Sequence, residues 1–71
     1  MTMVEIFTTS VTEQSQAASI INQLQLQLPD CSINFDLEDC DRILRVKGEN
    51  FCVNSIIEIL QSLGFFCSHL K

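Results

Sequence analysis

Residues 31–47 read CSINFDLEDCDRILRVK, and this stretch decides the fold. Apolar and polar side chains alternate over 31–37 and again over 42–47, which is the pattern of half-buried strands. The four residues between the runs, 38–41, are polar and suit a turn, so the stretch predicts a β-hairpin. The predicted inward side chains of the hairpin are Ile33, Phe35, Leu37, Leu44 and Val46.

Upstream of the hairpin, the chain predicts a strand followed by a helix. Residues 3–8 alternate, and we expect Val4 and Ile6 on the core side with Phe7 on the other. Residues 13–28 carry an apolar stripe with helical spacing, in which Leu26 is the misfit. Ser10 with Glu13 fits a capping box and Thr12 is a rival N-cap, while Pro29 ends the helix because it cannot continue the hydrogen-bond ladder.

Downstream of the hairpin, the same order repeats. Gly48 to Asn50 breaks the strand, and Asn50 is a good N-cap for a second helix that runs to Leu63. Gly64 is a natural residue to close that helix, because glycine tolerates the left-handed conformation. Residues 65–70 predict a short last strand, with Cys67 facing the core.

The order strand, helix, strand, strand, helix, strand predicts an α+β fold. Two right-handed strand–helix–strand units that share a central hairpin give the ferredoxin-like βαββαβ sandwich, a four-stranded antiparallel sheet with both helices on one face. We expect one domain over residues 1–71, because 71 residues are too few for two.

Charge narrows the classes of partner. The chain has nine acidic and four basic residues, a net charge of −5. Nucleic-acid binders usually carry a basic stripe, so we expect neither nucleic acid nor an anionic membrane as a partner. Residues 1–7 lack the basic start of a secretory signal and no apolar run reaches about 18 residues, which predicts a cytoplasmic location.

The stretches INFDLE, at residues 33–38, and IIEILQSLGF, at residues 56–65, resemble parts of the heavy-metal-associated (HMA) family of copper chaperones and metal-pumping ATPases. The shorter stretch resembles the second strand of that family, and the longer one resembles its second helix and the Leu-Gly-aromatic exit. The resemblance covers nearly the whole chain and implies the same fold.

The metal-binding loop of that family, Gly-Met-x-Cys-x-x-Cys, has no counterpart here. Val11 falls where the family has methionine, and Glu13 and Gln16 fall where it has cysteine. A shift of one residue places Gln14 and Ala17 there and recovers no thiol. Because soft cations need those thiolates, the metal role implied by the resemblance does not carry over, and we expect no cofactor.

Four cysteines, Cys31, Cys40, Cys52 and Cys67, are spaced 9, 12 and 15 residues apart. In the predicted fold Cys31 and Cys52 lie at the end opposite the metal loop of the family, and Cys40 lies in the hairpin on the loop's side. Buried packing residues or free thiols are the ordinary interpretation. The alternative is a redox pair or a metal site that uses Cys31, Cys52 or Cys40.

Four acidic residues crowd the hairpin: Asp36, Glu38, Asp39 and Asp41. Carboxylates bind hard cations such as Ca²⁺ or Mg²⁺, although the spacing is not that of an EF-hand. A solvated turn and a docking surface for a basic partner are the other interpretations.

The outer face, the sheet surface turned away from the helices, is the main functional candidate. We expect it to carry Phe7, Ile43, Phe66 and Leu70, with Phe7 and Phe66 as cross-strand neighbours. Contiguous exposed apolar surface usually marks an interface. The sequence therefore predicts that this face packs against another protein or a second copy of the chain.

The leading hypothesis is a small non-catalytic interaction or regulatory module on an HMA-like scaffold. The alternative is a copper or zinc carrier that uses cysteines outside the family loop. A small-ligand sensor is a third and weaker hypothesis. We do not expect an enzyme, because the sequence has neither a nucleophile–histidine–acid motif nor a glycine-rich phosphate loop.

Overall fold

A computed structural model describes residues 2–70, so residues 1 and 71, the two ends of the predicted domain, lie outside the described residues. The elements follow one another as β1 (Met3–Thr9), α1 (Gln14–Gln27), β2 (Ser32–Asp36), β3 (Ile43–Gly48), α2 (Val53–Ser62) and β4 (Cys67–Leu70). This order is the one that the alternating and helical patterns predict, with boundaries that differ by at most two residues.

The sheet has the strand order β2-β3-β1-β4, and the three neighbouring pairs are antiparallel. Buried residues of both helices form one core with the inward side chains of the sheet. The α+β ferredoxin-like fold is thereby confirmed. The predicted faces of the hairpin are also confirmed: Leu44 and Val46 are fully buried, with Ile33 and Phe35 packed beside them.

The predicted faces of β1 are wrong. Phe7 pairs with Leu44 and is completely buried, whereas Val4 is 51% exposed. Residues directly opposite each other in a sheet share a face, so Phe7 joins the core row of Leu44, and Val4 and Ile6 turn outward. Burying the larger aromatic surface is favourable, and Glu5 accompanies Phe7 to the inner face because it finds a partner there.

The first helix begins differently from the prediction. The N-cap is Glu13, whose backbone N–H donates to Oε1 of Gln16 at 3.3 Å. Ser10 instead extends the pairing of β1 with β4: its N–H donates to the carbonyl of Phe66 at 3.3 Å, and its Oγ accepts from the Phe66 N–H at 2.9 Å. The loop after β1 is thus tied to the sheet before the helix starts.

The second helix starts at Val53 with Cys52, not Asn50, as its N-cap. Its end agrees with the prediction, since Leu63 is the C-cap and Gly64 has φ +91°, in the left-handed region that glycine adopts without strain. Leu26, the predicted misfit of α1, is 77% exposed.

Candidate interaction face

The outer face is formed by alternate residues of all four strands. The register places Thr8 between Ile43 and Ser68, and Ile6 between Arg45 and Leu70. Its members in the strands are Val4, Ile6, Thr8, Ser32, Asn34, Asp36, Ile43, Arg45, Lys47, Ser68 and Leu70.

The apolar part of the outer face lies on β1 and β4. Val4 is 51% exposed and Leu70 is 48% exposed. Ile6 lies directly opposite Leu70 and is half-buried. Phe66, which directly precedes β4, is 60% exposed, and its backbone is held by Ser10. The predicted apolar surface is therefore present on this face, but two of its four apolar side chains, Val4 and Ile6, are not the predicted ones.

Two of the four predicted members need correction. Phe7 lies on the core face, and the residue opposite it on β4 is His69, not Phe66. Ile43 does belong to the outer face, opposite Thr8 and Asp36, but it is only 8% exposed and offers little surface. Val4 and Ile6 are the residues that sequence reasoning missed, and the missed signal is the pairing of Phe7 with Leu44.

The outer face also carries basic side chains, which the sequence alone did not single out. Arg45 and Lys47 are both exposed on β3 and are two of the four basic residues of the chain. Lys47 lies opposite Val4, and Arg45 lies opposite Ile6. Nη1 of Arg45 reaches Oδ1 of Asn34 at 3.4 Å, so it remains on the surface. A cationic strand thus borders the apolar part.

The acidic hairpin residues divide between two places. Asp36 ends β2 and belongs to the outer face, whereas Glu38, Asp39 and Asp41 lie in the exposed turn. Oδ1 of Asp39 accepts the N–H of Asp41 at 2.9 Å. Arg42 has φ +50° and donates through Nη1 to the carbonyl of Leu37 at 2.8 Å. The turn is therefore closed by its own hydrogen bonds.

One group in the turn has the spacing of metal ligands. A carboxylate oxygen of Asp39, Sγ of Cys40 and a carboxylate oxygen of Asp41 lie within 4.8 Å of one another, and the three residues are exposed. The turn that contains Cys40 is joined to the end of β1, because the carbonyl of Asp41 accepts the N–H of Thr9 at 3.2 Å.

All four cysteines are free thiols. Cys31 is buried beside a cleft formed by residues 27–31 and 49–50, and burial followed by the charge of Asp30 raises its pKa. Cys52 is exposed at the start of α2, where the backbone amides of Ser55 and Asn54 lower its pKa. The described residues therefore contain no disulfide between Cys31 and Cys52, which was the alternative to free or buried thiols.

The loop residues that the sequence analysis aligned with the metal-binding loop of the HMA family have structural roles here. Val11 is completely buried in the core, and its N–H donates to Oγ1 of Thr9 at 3.3 Å. Glu13 caps α1 with help from Gln16. These side chains therefore anchor the loop and start the helix.

Sequence reasoning also missed an acid–histidine pair at the edge of the core. Nε2 of His69 lies 2.8 Å from Oε1 of Glu5, and both side chains are partly exposed. The His69 ring also lies 5.3 Å from the ring of Phe7. The pair allows Glu5 to occupy the inner face of β1, which explains how Phe7 can be buried.

The comparisons with known proteins identify no relative. No family model matches the chain, and neither the curated proteins nor the solved structures contain a match. Among residues 2–70, no helix has the length and apolar character needed to cross a membrane.

Proposed function

We propose that the chain is a small non-catalytic interaction or regulatory module and that its outer face binds a protein partner. The observation that carries this proposal is the exposed apolar surface of Val4 and Leu70 around Ile6, which lies beside the exposed cations of β3. Exposed apolar patches on small domains commonly mark interfaces, and sheets commonly cover both faces with other layers.

The arrangement supports binding better than catalysis. The acid–histidine pair of Glu5 and His69 lies at the edge of the core. Among the described residues, no nucleophilic side chain is hydrogen-bonded to this pair. The scaffold that we infer remains HMA-like, as the motifs at residues 33–38 and 56–65 suggest. Its binding surface is the sheet, not the loop after β1.

The proposal is tested by removing apolar surface from the outer face. Tagged wild-type chain and the Val4→Ser, Leu70→Ser double variant would be expressed in the cells that naturally produce the protein, and captured proteins quantified by mass spectrometry. Both side chains are about half exposed, so the variant should keep its fold, which circular dichroism checks. We expect the captured amount of at least one partner to be lower by tenfold or more with the double variant than with wild type.

Leu26→Ser is the matched control, because Leu26 lies on α1 and is the most exposed large apolar residue among residues 2–70. Partners that depend on the outer face should remain bound to this control. A set of partners that is the same for wild type and the double variant would contradict the proposal.

A second candidate is transition-metal binding in the hairpin turn. The close approach of Cys40 to Asp39 and Asp41 favours it, since a thiolate with two carboxylates can bind Zn²⁺. Zn²⁺ titration by calorimetry, with Cys40→Ser as the control, tests this function. Stoichiometric binding that the substitution abolishes would support it, and binding that is equal in both proteins would exclude this site.

A further inference from the structure

The charge of the outer face differs in sign from the charge of the whole chain. The net charge is −5, yet the strand residues of this face include two cations, Arg45 and Lys47, and one acid, Asp36. Charges separated by more than about 8 Å are largely screened at physiological salt. A partner on this face therefore meets mainly the local cations.

The register fixes how the cations and the apolar surface are arranged. Arg45 and Lys47 are two residues apart on β3, so their Cα atoms lie about 7 Å apart. Each has an apolar neighbour on β1 about 5 Å away across the sheet, Ile6 for Arg45 and Val4 for Lys47. The face thus presents a cationic line parallel to an apolar line, and Leu70 widens the apolar line beside Ile6.

A second copy of the chain fits this face poorly. In a symmetric face-to-face pair each copy presents the same surface to the other. Each copy would then offer the single carboxylate of Asp36 to two cations. Burying the unpaired cation is costly, so the face is better matched by a different occupant.

Resting on the proposed function, we propose that the partner of the outer face is an acidic apolar peptide segment. It carries two carboxylates about 7 Å apart, which face Arg45 and Lys47, and apolar side chains that cover Val4, Ile6 and Leu70. Carboxylates at i and i+2 of an extended segment, or at i and i+4 of a helix, have this spacing. The apolar contact supplies affinity, and the two cations select the segment by charge.

The test uses a phage-displayed library of random 12-residue peptides, selected on the immobilised wild-type chain. Enriched peptides are synthesised, and their dissociation constants are measured by fluorescence anisotropy at 0.15 M salt. We expect enrichment of paired Asp or Glu next to aliphatic or aromatic residues. We also expect Arg45→Gln with Lys47→Gln to weaken binding tenfold or more, and the reversal Arg45→Glu with Lys47→Glu to select basic peptides.

The matched control is Gln23→Glu with Gln27→Glu on the exposed side of α1. It makes the same change in net charge as the double glutamine variant but leaves the outer face intact. Binding of the selected peptides should stay within about twofold of wild type. An equal loss of peptide affinity in the control and in the double glutamine variant would show that only net charge matters, and it would overturn the inference.

Other results overturn the inference without touching the proposed function. One such result is a set of selected peptides that lack acidic residues but still need Val4 and Leu70 for binding. The outer face would then be a binding face, but its partner would not be an acidic segment. A library that yields no enriched peptide would also overturn it. So would a wild-type dimer in sedimentation that Val4→Ser with Leu70→Ser dissociates. The proposed function itself fails if the captured partners do not depend on the outer face, or if an oligothymidylate of 20 nucleotides binds this face more tightly than the selected peptides, a result that would overturn both.

Discussion

Gly48 and Cys31 form the tightest residue-level constraint on the sheet. Gly48 is the last residue of β3, and a Cβ built on it would lie 2.5 Å from Sγ of Cys31 and 3.3 Å from its Cβ. Sequence reasoning read Gly48 only as a strand breaker. Its second role, giving room to a buried thiol 17 positions earlier in the chain, depends on tertiary contact and has no signal in the local pattern.

We expect Gly48→Ala to lower the free energy of unfolding by about 1–3 kcal/mol, as other overpacked sites do. In a Cys31→Ala background the clash with Sγ is absent, so the same substitution should cost about 1 kcal/mol less. Urea denaturation of the four proteins of this cycle measures the coupling.

Gly64→Ala is the control for that cycle. A Cβ on Gly64 meets no atom within 4 Å, but its φ of +91° strains any other residue, with a cost of about 1 kcal/mol. This cost should be unaffected by Cys31→Ala. If the effects of Gly48→Ala and Cys31→Ala on the free energy of unfolding were strictly additive, the steric explanation would be refuted.

The cysteines should differ in reactivity according to their surroundings. Backbone amides of Ser55 and Asn54, with the Ser55 side chain, lower the pKa of exposed Cys52, whereas burial raises the pKa of Cys67 to about 11. Because the thiolate is the nucleophile, iodoacetamide should modify Cys52 at a lower pH than an ordinary thiol and leave Cys67 almost untouched. Peptide mapping by mass spectrometry at several pH values measures both rates.

Ser55→Ala supplies the comparison for Cys52. It removes the side-chain donor but keeps the backbone amides, so the pH midpoint of Cys52 alkylation should rise part of the way toward that of an ordinary thiol. A midpoint that does not move would mean that the Ser55 hydroxyl has no influence on the thiol.

At the scale of elements, patterns predicted each strand and helix but not the facing of β1. In that strand both alternating sets contain a large apolar residue, Val4 and Ile6 in one and Phe7 in the other. Local periodicity cannot choose between them. The choice depends on the pairing of Phe7 with the buried Leu44 and on the contact of Glu5 with His69. Both are contacts between distant segments of the chain. The location of the outer face was predictable, and so were Phe66 and Leu70, but its members on β1 were not.

The end of β1 is joined to the hairpin turn through Thr9. Its Oγ1 donates to the carbonyl of Arg42 at 2.7 Å and accepts the N–H of Val11 at 3.3 Å. Thr9 is buried, so Thr9→Val keeps the shape but leaves polar groups unpaired. We expect a loss of about 1–3 kcal/mol in the free energy of unfolding, measured by urea denaturation.

Thr9→Ser separates the hydroxyl from the methyl group. It keeps both hydrogen bonds and should cost roughly 0.8 kcal/mol for the lost carbon. Hydrogen exchange at the Val11 amide should accelerate in the valine variant and stay near wild type in the serine variant. Equal acceleration in both would assign the effect to packing instead of to the hydroxyl.

At the scale of the whole molecule, the fold was predictable because several independent signals agree. The hairpin alternation, the two helical stripes and Gly64 all point to one topology, and such agreement between levels is what specifies a fold. Arg45 and Lys47 gained their significance only from the assembled sheet, because their apolar neighbours come from β1 and β4, far away in the sequence.

Whole-molecule stability should fall in alkaline solution because Cys67 is buried in the core. Its pKa is about 11 in the folded chain, against an ordinary 9.0. Between these values the unfolded chain has released the thiol proton and the folded chain retains it, so rising pH favours unfolding. The stabilisation that comes from keeping the Cys67 thiol protonated is complete below pH 9.0. Above that pH it is lost at up to about 1.4 kcal/mol per pH unit.

Urea denaturation of wild type and Cys67→Ala between pH 7 and 11 isolates this contribution. The alanine variant should be less stable at neutral pH, since it loses a packed sulfur, and should lose less stability on the alkaline side. The difference between the two curves should therefore shrink above pH 9.0. Because Cys31 and the other titrating groups are the same in both proteins, their effects cancel in this difference. Parallel curves would show that Cys67 ionises as readily in the folded chain as in the unfolded one.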